Sequence, residues 1–208
     1  MSAPYIQITE LPIAAKMMNE AEYAWRLLLQ SEGGDVKLYR QDDGSTLLEL
    51  RAFQAWPDLE CSARLRQEQW DTLAKYAAGD FRREILSKVD DPKPTEGGLP
   101  DERFLELRYV EVLPDRYEEY RTWREQTIFD VVRGAPEVIS FSAYHSVFTT
   151  HPGVVFLSGF DGSLEDYRAV FATPRYKTIV SEAAERYITG GEQGLSTRTY
   201  VFTGDGKE

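Results

Sequence analysis

The sequence predicts an α+β protein made of two tandem βαββαβ repeats. Two observations lead there. The segment Asp90-Asp91-Pro92-Lys93-Pro94-Thr95-Glu96-Gly97-Gly98-Leu99-Pro100, with three prolines and two glycines, reads as a linker that halves the chain. On both sides of it, strand-length runs of alternating polarity and helices with apolar residues at 3.6 spacing follow in the same order. The expected division is a first repeat over 1–90, a linker over 91–102 and a second repeat over 103–208.

The second repeat is the plainer one. Phe104 to Val112 alternates, with Leu105, Leu107 and Tyr109 on one face and Glu106 and Arg108 on the other. Pro114-Asp115 opens a helix, with Asp115 as the expected N-cap and Glu118 completing a capping box. Tyr117, Tyr120, Trp123, Phe129 and Val132 mark its buried side, and Gly134 with Pro136 ends it. Strands over Val138 to Phe148 and Gly153 to Phe160 flank Thr149-Thr150-His151-Pro152. Ser163 with Asp166 caps a second helix, interrupted at Pro174, whose stripe is Tyr176, Ile179, Val180, Ala183, Ala184 and Tyr187. Ser196 to Phe202 is the closing strand.

The first repeat gives the same order. Tyr5 to Thr9 is a strand, and Ala14 through Leu29 an amphipathic helix stopped at Gly33-Gly34. Val36 to Arg40 and Thr46 to Phe53 pair around Asp42-Asp43-Gly44, a hairpin turn signal. Residues 59–65 fit a strand or a helix locally. Laying Phe53-Gln54-Ala55-Trp56-Pro57-Asp58-Leu59 on Phe160-Asp161-Gly162-Ser163-Leu164-Glu165-Asp166 assigns roughly 58–79 to a helix and 81–89 to a closing strand. The offset between repeats grows between the first and third strands, so the second repeat is expected to carry the longer hairpin between its second and third strands. Both histidines, His145 and His151, lie on that hairpin.

Composition bounds the function. With 24 basic and 35 acidic residues the net charge is −11, and the pI is near 4.8. This argues against nucleic acid and anionic membrane as partners. No apolar run approaches a membrane span. The opening Met1-Ser2-Ala3-Pro4 lacks signal-peptide character, and Cys61 is alone, so a reduced, cytoplasmic setting is expected. Phosphate-binding glycine loops and a serine nucleophile elbow are not found, and two histidines at i, i+6 make no metal motif. Cys61 falls in a predicted helix with nothing to activate it.

The segment Leu105-Glu106-Leu107-Arg108-Tyr109, followed by Leu113-Pro114-Asp115, resembles the opening of the NIPSNAP-like branch of the dimeric α+β barrel superfamily, with Asp115 where a glycine is usual. Phe160 to Tyr167 and Thr173-Pro174-Arg175-Tyr176 resemble the second-helix pattern of that superfamily, which includes antibiotic monooxygenases. The resemblance covers about residues 104–188, and the first half only through the repeat. It implies that the two ferredoxin-like βαββαβ repeats join their antiparallel sheets into one α+β barrel, with helices outside and a ligand cavity within. It also implies a small-molecule function: a cofactor-independent monooxygenase, cyclase or isomerase acting on an apolar or aromatic compound. The alternatives are a non-catalytic binding or assembly protein and a haem-binding or haem-degrading protein. A homodimer fits the same resemblance.

If the apolar strand faces pack on the helices, the opposite faces line the barrel. That places Glu106, Arg108, Ser140, Ser142, Tyr144, Phe156, Ser158, Arg198 and Tyr200 inside, with Gln7, Thr9, Tyr39, Glu49 and Arg51 from the first repeat. Of these, Tyr39, Arg51, Glu106, Arg108, Ser142, Phe156, Arg198 and Tyr200 are the candidate ligand-binding residues, aromatic and hydrogen-bonding in the proportions a flat organic ligand suits. Paired charges inside a filled barrel are the plainer alternative. Tyr144 and His145 are the catalytic candidates, a phenol to hold an enolate and an imidazole as base. As neighbours on a strand they point to opposite faces, with His145 toward the helices. His151 is expected to be exposed at the hairpin tip.

Overall fold

The computed structural model describes residues 1–56 and 59–204, without the side chains of Glu32 and of residues 59–62. Its strands are β1 (Tyr5–Pro12), β2 (Val36–Gln41), β3 (Thr46–Phe53), β4 (Arg82–Lys93), β5 (Phe104–Val110), β6 (Ser140–Phe148), β7 (Val154–Phe160) and β8 (Leu195–Phe202). Its helices are α1 (Met18–Glu32), α2 (Leu59–Leu73), α3 (Tyr117–Gln126), α4 (Ile128–Gly134), α5 (Leu164–Phe171) and α6 (Pro174–Arg186). Both halves therefore run βαββαβ, with the helical layer of the second split into two pairs. The side chain of Cys61, in α2, lies outside those described.

All eight strands form one closed antiparallel barrel in the order β1-β3-β2-β8-β5-β7-β6-β4. Each repeat contributes a sheet of the same internal order, fourth-first-third-second. The second strand of each repeat pairs with the fourth of the other: β2 with β8 and β4 with β6. Closure removes every sheet edge. The β2–β8 seam is short, from Tyr39↔Phe202 to Gln41↔Tyr200. The β4–β6 seam is longer and shifts register three times between Ile85 and Lys93.

Local signals explain most boundaries. The β2–β3 turn closes through Gly44 N–H to the Gln41 carbonyl at 2.8 Å, with Gly44 at φ +72°, a backbone that favours glycine. Ser163 Oγ accepts from Asp166 N–H at 3.0 Å and donates to its carboxylate at 2.7 Å, so the expected cap of α5 forms. Thr173 caps α6, with Pro174 in its first turn, which is why the helical layer breaks there. The cap expected at Asp115 does not form. Leu113 precedes a 3-10 turn over Pro114–Arg116, and α3 then starts after Arg116 with no side-chain cap. Proline at the first position leads the chain into the turn directly, and Asp115 lies within it.

The largest departure from expectation is the phase of the first strands. Ile6, Ile8, Leu105, Leu107 and Tyr109 point into the barrel and form one buried cluster with Tyr39, Leu48, Leu50, Leu86, Tyr144, Val155, Leu157 and Tyr200. The opposite faces meet the helices. Trp25 Nε1 of α1 and Gln69 Nε2 of α2 both donate to Glu49 Oε2, at 2.9 and 2.7 Å, and Arg51 Nε donates to Glu49 Oε1 at 3.1 Å. Gln7 Nε2 donates to Thr9 Oγ1 on that face. Thus Gln7, Thr9, Glu49, Arg51, Glu106, Arg108, Phe156 and Ser158 lie between sheet and helix, not inside the barrel. The physical reason is partner supply. The helices bring the indole, amide and phenol groups that Glu49 and Glu106 bond, whereas the middle of the closed interior offers strand side chains only one another and fills with Leu, Ile, Val and Tyr. Phe156 accordingly packs with Phe129, Phe141 and the helical core.

Candidate functional site

Two polar groups close the ends of the barrel. At one end Tyr144 donates to the Ala3 carbonyl and Tyr39 to the Pro100 carbonyl, each at 3.0 Å. Ser142 Oγ there meets Asp91 Oδ1 at 2.7 Å and Ser2 Oγ at 2.9 Å. Burial lifts both phenols above their ordinary range, so they serve as neutral donors to backbone. Tyr144 therefore does face the interior, but its hydroxyl ties down the chain start rather than meeting a cavity.

At the other end Glu10, from β1, accepts from Arg198 Nη1 at 2.6 and 2.7 Å and from the Tyr200 hydroxyl, both on β8. Glu84, from β4, accepts from the Tyr109 hydroxyl of β5. The pairs run from first-repeat carboxylates to second-repeat donors, so they lock one half of the barrel to the other. Both carboxylates are buried. Burial pushes Glu84 up to about 7, the charge of Glu10 adds to this, and the Tyr109 bond only partly offsets it. His151 is not free at the hairpin tip: Nδ1 lies 4.0 Å from Glu84 Oε2 and the ring packs on Tyr109 at 5.6 Å. Burial, then Arg198, lowers its pKa.

His145 lies on the helix-packed side, as its strand position requires. Its Nδ1–H donates to the Ser146 carbonyl at 3.1 Å, and Tyr117 of α3 stands edge-on to the ring at 5.0 Å. It borders a surface groove of about 540 Å³ shared with His151. Tyr144 and His145 are thus on opposite sides of β6 and serve no common space.

Among the described residues, a largely apolar cavity lies between sheet and helices of the second repeat. It measures about 520 Å³, within the range of ligand sites. Its floor is the outer face of β5, β7 and β8, with Arg108, Val110, Phe156, Leu195 and Thr197. Its walls are Tyr120 of α3, Ile128 of α4, Phe171 of α5, and Tyr176, Lys177, Ile179, Val180 and Ala183 of α6. The stripe on α6 that reads as core in the sequence is thus partly the wall of a cleft. Spacing identifies a buried face but cannot tell a filled contact from an open one.

Arg108 is the cleft's central polar group. Nη1 donates to the Tyr176 hydroxyl and Nη2 to Glu106 Oε1 at 2.6 Å, while Tyr167 donates to the same carboxylate oxygen at 3.0 Å. The guanidinium lies 4.7 Å from the Phe171 ring centre. Burial opposes its charge, but Tyr176 and Glu106 beside it more than offset this and raise its pKa. Of the eight candidate binding residues, Arg108 and Phe156 line the cleft and Glu106 holds Arg108 in place. Tyr39, Ser142, Arg198 and Tyr200 are in the barrel, and Arg51 lies under the first-repeat helices. The sequence places Tyr176 in the buried stripe of its helix and not in a site, and does not single out Lys177; the polar phase of Arg108 opposite a helix carrying Tyr176 is the available signal.

The donor set of the cleft does not fit a haem iron. Among the described residues the cleft has no imidazole, thiolate or thioether. Tyr120 is kept protonated by burial, and the Tyr176 oxygen is engaged by Arg108. His145 Nε2 packs so closely on Gly153 that a Cβ there would sit 3.1 Å away. Among the described residues no three His, Cys, Asp or Glu side chains are arranged to hold a metal ion, and no helix is long and apolar enough to cross a membrane.

Neither a family model nor a curated protein matches the chain. Solved structures do. A protein provisionally named a monooxygenase, from Fusobacterium nucleatum, superimposes with TM-score 0.69 at 9% identity, over 97% of this chain and 93% of its own. An anthrone oxidase-like protein gives TM-score 0.68 at 10% identity, over 96% and 92%. A ferredoxin-fold protein related to antibiotic biosynthesis monooxygenases, from Listeria monocytogenes, gives TM-score 0.57 at 10% identity, over 96% of each. The chain shares its ferredoxin-like barrel fold with these proteins.

Proposed function

We propose that the protein binds a small, largely apolar aromatic molecule in the cleft between the second-repeat sheet and helices α3 to α6, and oxidises it with O₂ without a dissociable cofactor. The observation that carries the reading is the cleft itself: about 520 Å³, walled by Tyr120, Ile128, Phe156, Phe171 and Ile179, with one fixed guanidinium in its floor. The barrel interior, where the cavity was expected, is occupied by side chains. The names of similarly folded proteins, monooxygenase and anthrone oxidase-like, support the reaction type. In such a reaction solvent water or hydroxide takes a carbon-bound proton from the substrate, and the carbanion left behind reduces O₂. Anthrone plus O₂ would give anthraquinone plus water. The part played by this chain is to enclose the ring and to place Arg108 against the oxygen on which the negative charge collects.

Two measurements test it. Calorimetric titration with 2-naphthylmethanol should show saturable binding that falls at least tenfold in Ala183→Trp, whose indole would fill the cleft. Unchanged binding in that variant would put the ligand elsewhere. With anthrone, oxygen uptake above the buffer rate is expected, and its loss in Arg108→Met. A second reading, a binding protein without catalysis, is favoured by one observation: among the described residues no imidazole reaches the cleft to act as base. Binding with no oxygen uptake would establish it.

A further inference from the structure

The cleft is electrically polarised along α6, and we propose that its ligand is a monoanion, an aromatic carboxylate or phenolate, docked with the charged group beside Arg108 and Lys177. This rests on the cleft being the binding site. Tyr176 and Lys177 lie in the first turn of α6, and Ala183 near its end, so the cleft follows the helix from its positive to its negative pole. At the first-turn end Arg108 sits in the floor, directly paired with Thr197 across the β5–β8 ladder. At the other end, Val110 pairs with Leu195, and Glu192 completes the lining. The two ends thus carry opposite charge.

Charge at the positive end does not cancel. Glu106 faces Arg108 through Nη2 and neutralises it, and Tyr167 shares that carboxylate. Lys177 has no ion-pair partner among the described residues, which leaves one positive charge in excess there. In a chain of net charge −11, a cationic end to an apolar cleft is not a consequence of overall composition. Between the poles the walls are rings and aliphatic groups, so the rest of the ligand must be uncharged. An anion placed at the first-turn end gains Lys177 and the helix pole together, beside an Arg108 already paired with Glu106 and Tyr176. The same anion at the opposite end would meet Glu192.

The test compares 2-naphthoate with 2-naphthamide, equal in shape and differing in charge, by titration calorimetry of the full chain. Naphthoate is expected to bind at least fivefold more tightly at 50 mM NaCl. That preference should fall below twofold at 500 mM NaCl and in Lys177→Met. Lys177 is exposed, so its removal leaves the fold intact. Equal affinities for the two probes would overturn the anion assignment, and a preference that survives in Lys177→Met would overturn the docking beside Lys177, each while leaving the cleft as the site. Failure of both probes to bind would overturn the assignment and the cleft reading together.

Discussion

Replacing Glu10 with alanine is expected to destabilise the protein by about 3 kcal/mol or more, the cost typical of removing one partner from a buried ion pair. Glu10 is 2% exposed and serves three bonds: two from Arg198 Nη1 and one from the Tyr200 hydroxyl. Its loss strands a guanidinium and a phenol at the barrel end, where Tyr109 offers only a ring face, 5.4 Å from the guanidinium carbon. Because the bonds cross from β1 to β8, the damage falls on the junction of the two repeats. Urea unfolding should show it, and Glu10→Ala/Arg198→Met should recover part of the loss, since no cation is then left unpaired. A single-variant cost under about 0.5 kcal/mol, the size of an ordinary surface change, would mean the pair does not hold the halves together.

The second large effect is on pH dependence. Glu84 is raised from 4.5 to about 7 by burial, aided by Glu10. A carboxyl raised on folding binds more protons in the native state than in the unfolded one between those values. Its contribution is therefore full below about pH 4.5 and is lost as pH rises through 7, by on the order of 3 kcal/mol. Glu84→Gln keeps an acceptor for Tyr109 and cannot ionise. Relative to the unaltered protein, the variant should gain about 3 kcal/mol in unfolding free energy between pH 4.5 and 8. Parallel pH profiles for the two proteins would show that Glu84 is not held protonated by its surroundings.

Sequence patterning captured the order of elements because strand alternation and helix spacing are local. The repeat overlay even assigned α2, whose own alternation was ambiguous, and Ser163 and Pro174 marked real helix starts. What local pattern could not supply was the identity of each face. Ile6 and Ile8 alternate with Gln7 and Thr9 equally well whichever side meets the helices. The outcome depends on Trp25 and Gln69 arriving from distant segments to satisfy Glu49. The same limit moved the site. Arg108 and Phe156 belong to it, but they face the helices, and the barrel that was expected to hold the ligand holds leucines and tyrosines. His151 appeared exposed because a turn residue usually is; its neighbour Glu84 lies 67 positions away in sequence.

The central claim, a ligand in the second-repeat cleft and not in the barrel, is tested most directly by the isoleucine δ1-methyl spectrum during titration with 2-naphthoate. Ile128 and Ile179 line the cleft, whereas Ile6 and Ile8 point into the barrel. Saturating ring-current shifts at Ile128 and Ile179, with Ile6 and Ile8 unmoved, are the predicted result. Shifts at Ile6 and Ile8 with the cleft methyls silent would contradict it.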